Sequence, residues 1–202
     1  MTPMFSIITP TLQRESLVQC CESVNNQTLS EGWQHIVIAD VEELDDSLIR
    51  RIEHPQRIIV KCPYPHRNWA NTCRYDAWEH ASGMYLVHCD DDNTLFDSRI
   101  LEDMAEALAS SDYPKFAIFP IFRHGYVFFS DPPRLCYTDT GNLVPQRKIG
   151  RWLNIPDATS DGILGEQLAA EYGATGFPNF RPIITMPCSS VGRGVKEGEG
   201  MQ

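Results

Sequence analysis

Residues 84–93 read Met-Tyr-Leu-Val-His-Cys-Asp-Asp-Asp-Asn, an apolar run ending in three adjacent carboxylates, Asp90, Asp91 and Asp92. Apolar residues carry a chain through a sheet interior, whereas three neighbouring like charges need a compensating positive group. A strand that delivers an Asp-x-Asp pair at its C-terminal end suggests a hard divalent cation such as Mg²⁺ or Mn²⁺. Such ions take oxygen ligands and share them with substrate phosphates. In open α/β sheets the carboxyl ends of the strands are also where ligands bind. An acidic surface turn is the bland alternative, and mutual repulsion at the end of an apolar strand argues against it.

Other elements must bring partners to this edge. Short apolar runs predict buried strands at Phe5–Thr9, His35–Ala39, Arg57–Lys61 and Met84–Cys89. Helical spacing predicts helices over Ser16–Asn25, Leu44–Ile52, Asn71–Ala81 with Gly83 as a C-cap, and Arg99–Ser110. Strands alternating with helices mean βαβ units, hence an α/β fold with a mainly parallel central sheet flanked by helices. Beyond residue 110, strand-like runs occur at Phe116–Arg123, Tyr126–Ser130, Arg134–Thr138 and Arg181–Met186. Residues 139–157 are irregular, and Ser160 is placed to N-cap a helix to about Tyr172. The expected organisation is one domain over 1–202. Residues 1–100 would form a nucleotide-binding half, 101–190 a substrate-shaping half and 191–202 a mobile tail.

Composition narrows the function classes. The chain has 202 residues, 42% of them hydrophobic, and a formal net charge of −10, with no basic stretch, which disfavours nucleic acid. No apolar stretch reaches the ~20 residues of a membrane span, and the N-terminus lacks the pattern of a signal peptide. Seven Cys, with no C-x-x-C pair, fit reduced thiols in a cytoplasmic protein.

If the strands are parallel, Thr9-Pro10-Thr11, Asp40 and Asp90–Asp92 share one sheet edge. Asp40 is then available to an N–H of a base, and the triplet to a ribose and a metal. Arg14 and Arg74 add positive charge facing a diphosphate, which Arg holds bidentately. Taken singly, Asp40 capping a turn and Arg74 pairing with Asp76 or Glu79 on a helix surface are the simpler readings, the latter worth only ~0.2–0.5 kcal/mol.

The order of these motifs resembles a known family. Phe-Ser-Ile-Ile-Thr-Pro-Thr-Leu-Gln-Arg (5–14) looks like the opening of family 2 glycosyltransferases, inverting enzymes of the GT-A fold. Ser23–Thr28, His35–Asp40, Cys73-Arg74-Tyr75, Ala81–Leu86 and Asp90–Asn93 follow the family pattern collinearly over residues 5–100. The resemblance implies that Pro10, Thr11 and Asp40 hold uridine, that Arg74 lies near the diphosphate, and that Asp90 and Asp91 lie near ribose and metal. Asp92 would be the principal ligand of Mn²⁺ or Mg²⁺. Tyr75, Asn93 and Leu12-Gln13 depart from the family pattern.

Inverting transfer also needs a carboxylate base. The family places it at the start of a helix in the second half, where Asp161 stands, with Asp157 and Glu166 as reserves. Asp161 as a favourable charge at a helix N-terminus is the alternative, worth ~0.3–1 kcal/mol. His124 falls at a turn and is expected on the surface rather than on a metal. Trp78 is expected in the core and Trp152 on the acceptor side. The implied reaction transfers a hexosyl group, glucose first and galactose second, from a UDP-sugar to a hydroxyl acceptor. A sugar-1-phosphate nucleotidyltransferase would need a Gly-rich loop after the first strand, and residues 9–14 contain no Gly. A non-catalytic nucleotide-sugar or glycan-binding module is the rival from another class.

Overall fold

Nearly continuous burial marks the centre of the molecule: every residue of β1 (Phe5–Thr11) is buried, as is every residue of β2 (Trp33–Ala39) except Gln34. The computed structural model describes residues 2–63 and 68–186. With β3 (Arg57–Lys61) and β4 (Tyr85–His88), these strands form a parallel sheet in the order β3-β2-β1-β4. A strand covered on both faces must be apolar on both, and the side-chain alternation divides the core accordingly. Ile8, Ile36, Ile38 and Leu86 point to a cluster with Cys73 and Ala77 of α3 (Asn71–Ala77). Phe5, Ile7 and Val87 point the other way, to Cys20 and Val24 of α1 (Ser16–Asn25) and Ile100, Leu101, Met104 and Leu108 of α4 (Ile100–Ser110). Between α1 and α4 in sequence, α2 (Asp46–Ile52) buries Leu48 and Ile52 against α1 and Val37. Asp45 caps it by accepting from the amides of Ser47 and Leu48.

The second half adds two small sheets. β6 (Phe116–Ile118) pairs antiparallel with β9 (Leu143–Pro145) and parallel with β10 (Thr175–Gly176). An antiparallel bridge from Tyr85 to Gln146 and the Arg147 amide on the Met84 carbonyl (2.8 Å) join this sheet to β4. α5 (Ser160–Tyr172) packs on it through Leu164 and Leu168, against Phe116, Ile118, Leu143 and Trp152. The other sheet runs β5 (Thr94–Leu95), β11 (Ile184–Met186), β7 (Ile121–Arg123), β8 (Tyr126–Phe128). The α/β class with a parallel central sheet is as the sequence predicts.

Several local expectations change. Arg134–Thr138 forms a turn, closed by the Tyr137 amide on the Arg134 carbonyl, rather than a strand. The predicted 116–123 strand breaks into β6 and β7, and α3 ends early in a 3₁₀ turn, Trp78–His80. Gly83 is not that helix's cap; Ala81 closes the turn. Gly83 instead lies against the start of β1, where a Cβ would stand 2.5 Å from Phe5 C and Ser6 N. Gly83→Ala is therefore expected to destabilise the fold by roughly 3 kcal/mol, read as a lower denaturation midpoint. An unchanged midpoint would mean the backbones can part.

A buried polar chain also ties β1 to β3. His35 Nδ1 accepts from Arg57 Nε (2.9 Å), so its Nε2–H donates to Thr9 Oγ1 (2.9 Å). Burial, and then the Arg57 charge, hold the imidazole well below its ordinary pKa, so it stays neutral. A depressed folded-state pKa gives stability present above the unfolded value of about 6.5 and lost as pH falls below it. His35→Gln keeps an acceptor and a donor but does not titrate. Its stability is expected to fall less steeply than the parent's between pH 6.5 and 5.5, by up to about 1.4 kcal/mol per pH unit. Denaturant titrations at both pH values check this; equal slopes would contradict a neutral His35.

Candidate functional site at the carboxyl edge of the sheet

Parallel pairing sets the functional side chains along one edge. β1 and β2 end together, Thr11 opposite Ala39, and the Asp40 amide donates to the Thr11 carbonyl (2.8 Å). β4 stops earlier, at His88 opposite Ile8, so Asp90–Asp92 turn across the end of β1. Pro10, Thr11, Asp40 and the triplet thus lie along one edge of the sheet, as parallel strands require, and Asp40 is buried, its carboxylate within 4.8 Å of the Cys62 and Cys73 thiols.

The three carboxylates are not equivalent. Asp91 is 1% exposed: it accepts from Thr11 Oγ1 (2.6 Å) and Arg14 Nε (3.2 Å) and forms a close ion pair with Arg14 Nη2. Its role here is to fasten the loop after β1 to the loop after β4. Asp90 and Asp92 keep 35% and 25% of their side chains exposed. Asp90 is ion-paired with Arg74 Nη2, and Asp92 accepts from Arg14 Nη1 at 3.1 Å. Burial, opposed by Arg14, raises the Asp92 carboxyl above its usual range, and Asp90 and Asp91 push the same way. The two arginines thus compensate part of the triplet's charge directly.

Arg74 is nearly buried. Its Nη1 donates to the Trp69 carbonyl (2.9 Å), and its guanidinium lies 5.2 Å from the centre of the Trp152 ring. Trp152, expected to meet an acceptor, is only 2% exposed; its ring also packs against His88, tilted by 59° with ring centres 4.7 Å apart. The solvent-facing aromatic is Trp69 instead, 69% exposed, with Trp69 and Ala70 both in the left-handed region (φ 59° and 62°). Trp78 is half-buried and packs on the core cluster of Ile8, Ile36 and Leu86, as expected, with Arg147 and Arg151 against its ring, and Tyr75 stacks under Arg151. His124 is exposed in the β7–β8 turn, as expected.

Asp161 occupies the first turn of α5. Its Oδ1 accepts from the Gly162 amide (2.7 Å). Burial raises its carboxyl above the usual range; the Gly162 amide and Arg74 pull it down, and Asp90 pushes it up. Asp161, Arg74 and Asp90 therefore act within one field. The reserves are otherwise engaged: Asp157 accepts from Thr159 N and Oγ1 (2.8 and 2.7 Å), and Glu166 from the Leu135 amide (2.7 Å).

A further carboxylate, Asp139, was not singled out in the sequence. It opens a 3₁₀ turn, Thr140–Asn142, accepts from the Gly141 amide (3.0 Å) and pairs with Arg123 (3.0 Å). Burial pushes its carboxyl up to about 6, with Asp90 and Asp161 adding to the rise. Five carboxylates against Arg14, Arg74 and Arg123 leave two negative charges in excess when all are ionised. A net-negative cluster of carboxylates suits a hard divalent cation, with Asp90 and Asp92 as the accessible donors. A hollow of about 430 Å³ elsewhere, lined by Ile49, Glu53, His54 and Arg57, lies at the opposite end of β3.

Comparisons with known proteins follow the same lines. No curated protein matches the chain significantly in sequence. In fold it is similar to residues 1–349 of S. aureus TarS solved with UDP: TM-score 0.69, 14% identity, 90% of this chain and 59% of that one. The same protein solved with UDP-GlcNAc gives a TM-score of 0.66 at 14% identity, covering 96% and 59%. The mannosyltransferase PcManGT from Pyrobaculum calidifontis, solved with GDP-Man and Mn²⁺, gives 0.66 at 18% identity, covering 89% and 56%. The chain spans between 56% and 59% of the length of these solved chains. The family model for glycosyl transferase family 2 matches residues 6–170, so this GT-A chain belongs to that family.

Proposed function

We propose that the chain transfers a hexosyl group from a UDP-sugar to a hydroxyl acceptor, with inversion and with help from Mn²⁺ or Mg²⁺. Glucose is the first donor sugar to test and galactose the second. The observation that carries this reading is the convergence, on one sheet edge, of two accessible carboxylates, a buried arginine and a third carboxylate at a helix start. Pro10, Thr11 and Asp40 would hold the uridine, and Asp90 and Asp92 the cation. The chemistry supplied by the bound cation is neutralisation of the diphosphate as it departs. Arg14 and Arg74 would orient the diphosphate, exchanging part of their present carboxylate pairing for it. Asp161 would accept the proton of the acceptor hydroxyl on its carboxylate. The hydroxyl oxygen then bonds to the anomeric carbon as the bond to the diphosphate breaks on the opposite face. An elevated carboxyl pKa suits this work, because a base is most effective near the operating pH.

We further propose the division of labour expected from sequence, residues 1–100 for donor and 101–190 for acceptor; the tail 191–202 lies outside the described residues. No described helix is long and apolar enough to cross a membrane. The six described cysteines are free thiols, which is compatible with the cytoplasmic location we propose. Following UDP release from a panel of nucleotide sugars, with water taking the place of the acceptor hydroxyl, in Mn²⁺, Mg²⁺ or EDTA tests the reading. Cation-dependent release from a UDP-hexose supports it, whereas tight nucleotide-sugar binding with no turnover on any donor favours the binding module.

A further inference from the structure

We infer that Asn71 is a positioning residue that fixes where the Asp161 carboxylate stands relative to Arg74. The inference rests on the proposed role of Asp161 as base. Asn71 is the first residue of α3, 1% exposed, and three positions before Arg74. Its amide uses its whole hydrogen-bonding capacity, two donors and two acceptor lone pairs. Nδ2 donates to the carbonyls of Ile155 (2.7 Å) and Asp157 (2.9 Å). Oδ1 accepts from Trp152 Nε1 (3.0 Å) and Ser160 Oγ (2.7 Å). All four partners lie on residues 152–160, the run leading into α5, and Ser160 directly precedes Asp161.

The adjacent residue repeats the clasp: Thr72 Oγ1 donates to Asn154 Oδ1 (2.9 Å) and accepts from Asn68 Nδ2 (2.7 Å). Trp152, held by Asn71, is also the ring beneath Arg74. One amide thus joins the donor-side helix that carries Arg74 to the acceptor-side helix that carries Asp161. Ser160 is the first helical residue rather than the cap expected from the sequence: Thr159 occupies the cap position without a side-chain cap bond, and the Ser160 hydroxyl goes to Asn71. Only a side chain with two donors and two acceptors at this reach satisfies all four partners, and among the twenty that means a short amide.

The test compares Ser160→Ala, Asn71→Ala, Trp152→Phe and Asp161→Asn with the parent. It reads UDP release from UDP-glucose with Mn²⁺, UDP affinity and denaturation midpoint, with rates corrected for the folded fraction. Ser160→Ala breaks the bond nearest Asp161, and its kcat is expected to fall about tenfold with donor KM and UDP affinity within about twofold. Asn71→Ala is expected to lose about 100-fold, the scale of a misplacement near 1 Å. Trp152→Phe, which removes a bond on the same amide farther from Asp161, should lose less than Ser160→Ala. If Asn71→Ala does not fold, Ser160→Ala decides. Parental kcat in Ser160→Ala, beside an inactive Asp161→Asn, overturns the positioning role and leaves the base standing. Parental kcat in Asp161→Asn overturns the base and this inference with it.

Discussion

Asp161→Asn is expected to lower UDP release by at least about 100-fold, the lower end of what a general base contributes, while UDP still binds and the protein stays folded. Asparagine keeps an oxygen for the Gly162 amide, so the first turn of α5 retains its contact. What disappears is the proton acceptor. Stability should move the other way. The folded-state carboxyl is raised above its ordinary value, chiefly by burial. Such a group favours the folded state only below the unfolded carboxylate pKa of about 3.8, and loses that contribution as pH rises through the raised value. At neutral pH its charge is therefore a cost, and the variant should melt at the same temperature as the parent or higher. Steady-state UDP release and thermal denaturation at pH 7.5 give both readings. Turnover within about threefold of the parent would remove Asp161 from the mechanism.

Substitutions in the acidic triplet should separate binding from folding. Asp92→Asn is expected to weaken Mn²⁺-dependent UDP binding by about tenfold or more, since Asp92 is an accessible oxygen donor with Asp90 beside it. EDTA should weaken the parent similarly and the variant little further. Asp91→Asn should instead lower stability by about 2–3 kcal/mol, less than for a fully buried pair because Arg14 is half-exposed. It removes the charge that Arg14 and Thr11 share beneath the surface. Calorimetric UDP titrations and denaturant midpoints for the two variants check the split. If Asp91→Asn lost the metal effect and Asp92→Asn lost stability, the assignment would be reversed.

The first half of the fold is legible because each strand is a local apolar run and each helix carries its own periodicity. α1 keeps its sequence-predicted bounds, and β3 does too. The second half is harder. β9 and β10 span three and two residues, too short for any alternation to register. Ser160 carries a helix-start signal that is correct for the helix and wrong for the hydroxyl, because Asn71, 89 residues away, takes it. Trp152 reads as a loop aromatic, and nothing nearby in sequence announces that Arg74 and His88 close over it. Asp139 resembles an ordinary turn-opening Asp, which it also is. Its closeness to Asp90 and Asp161 exists only in three dimensions. The triplet gave the edge away, but its three members looked alike; Arg14 and Thr11 decide that Asp91 faces inward.

Crystals grown with Mn²⁺ and UDP, with data collected for the anomalous signal of manganese, test the central claim most directly. The account predicts a manganese peak within ligand distance of Asp92, bridged to the diphosphate, and the uracil ring beside Asp40. Nucleotide bound elsewhere, for instance in the hollow beside His54 and Arg57, or an edge with no manganese peak while UDP is bound, would contradict it.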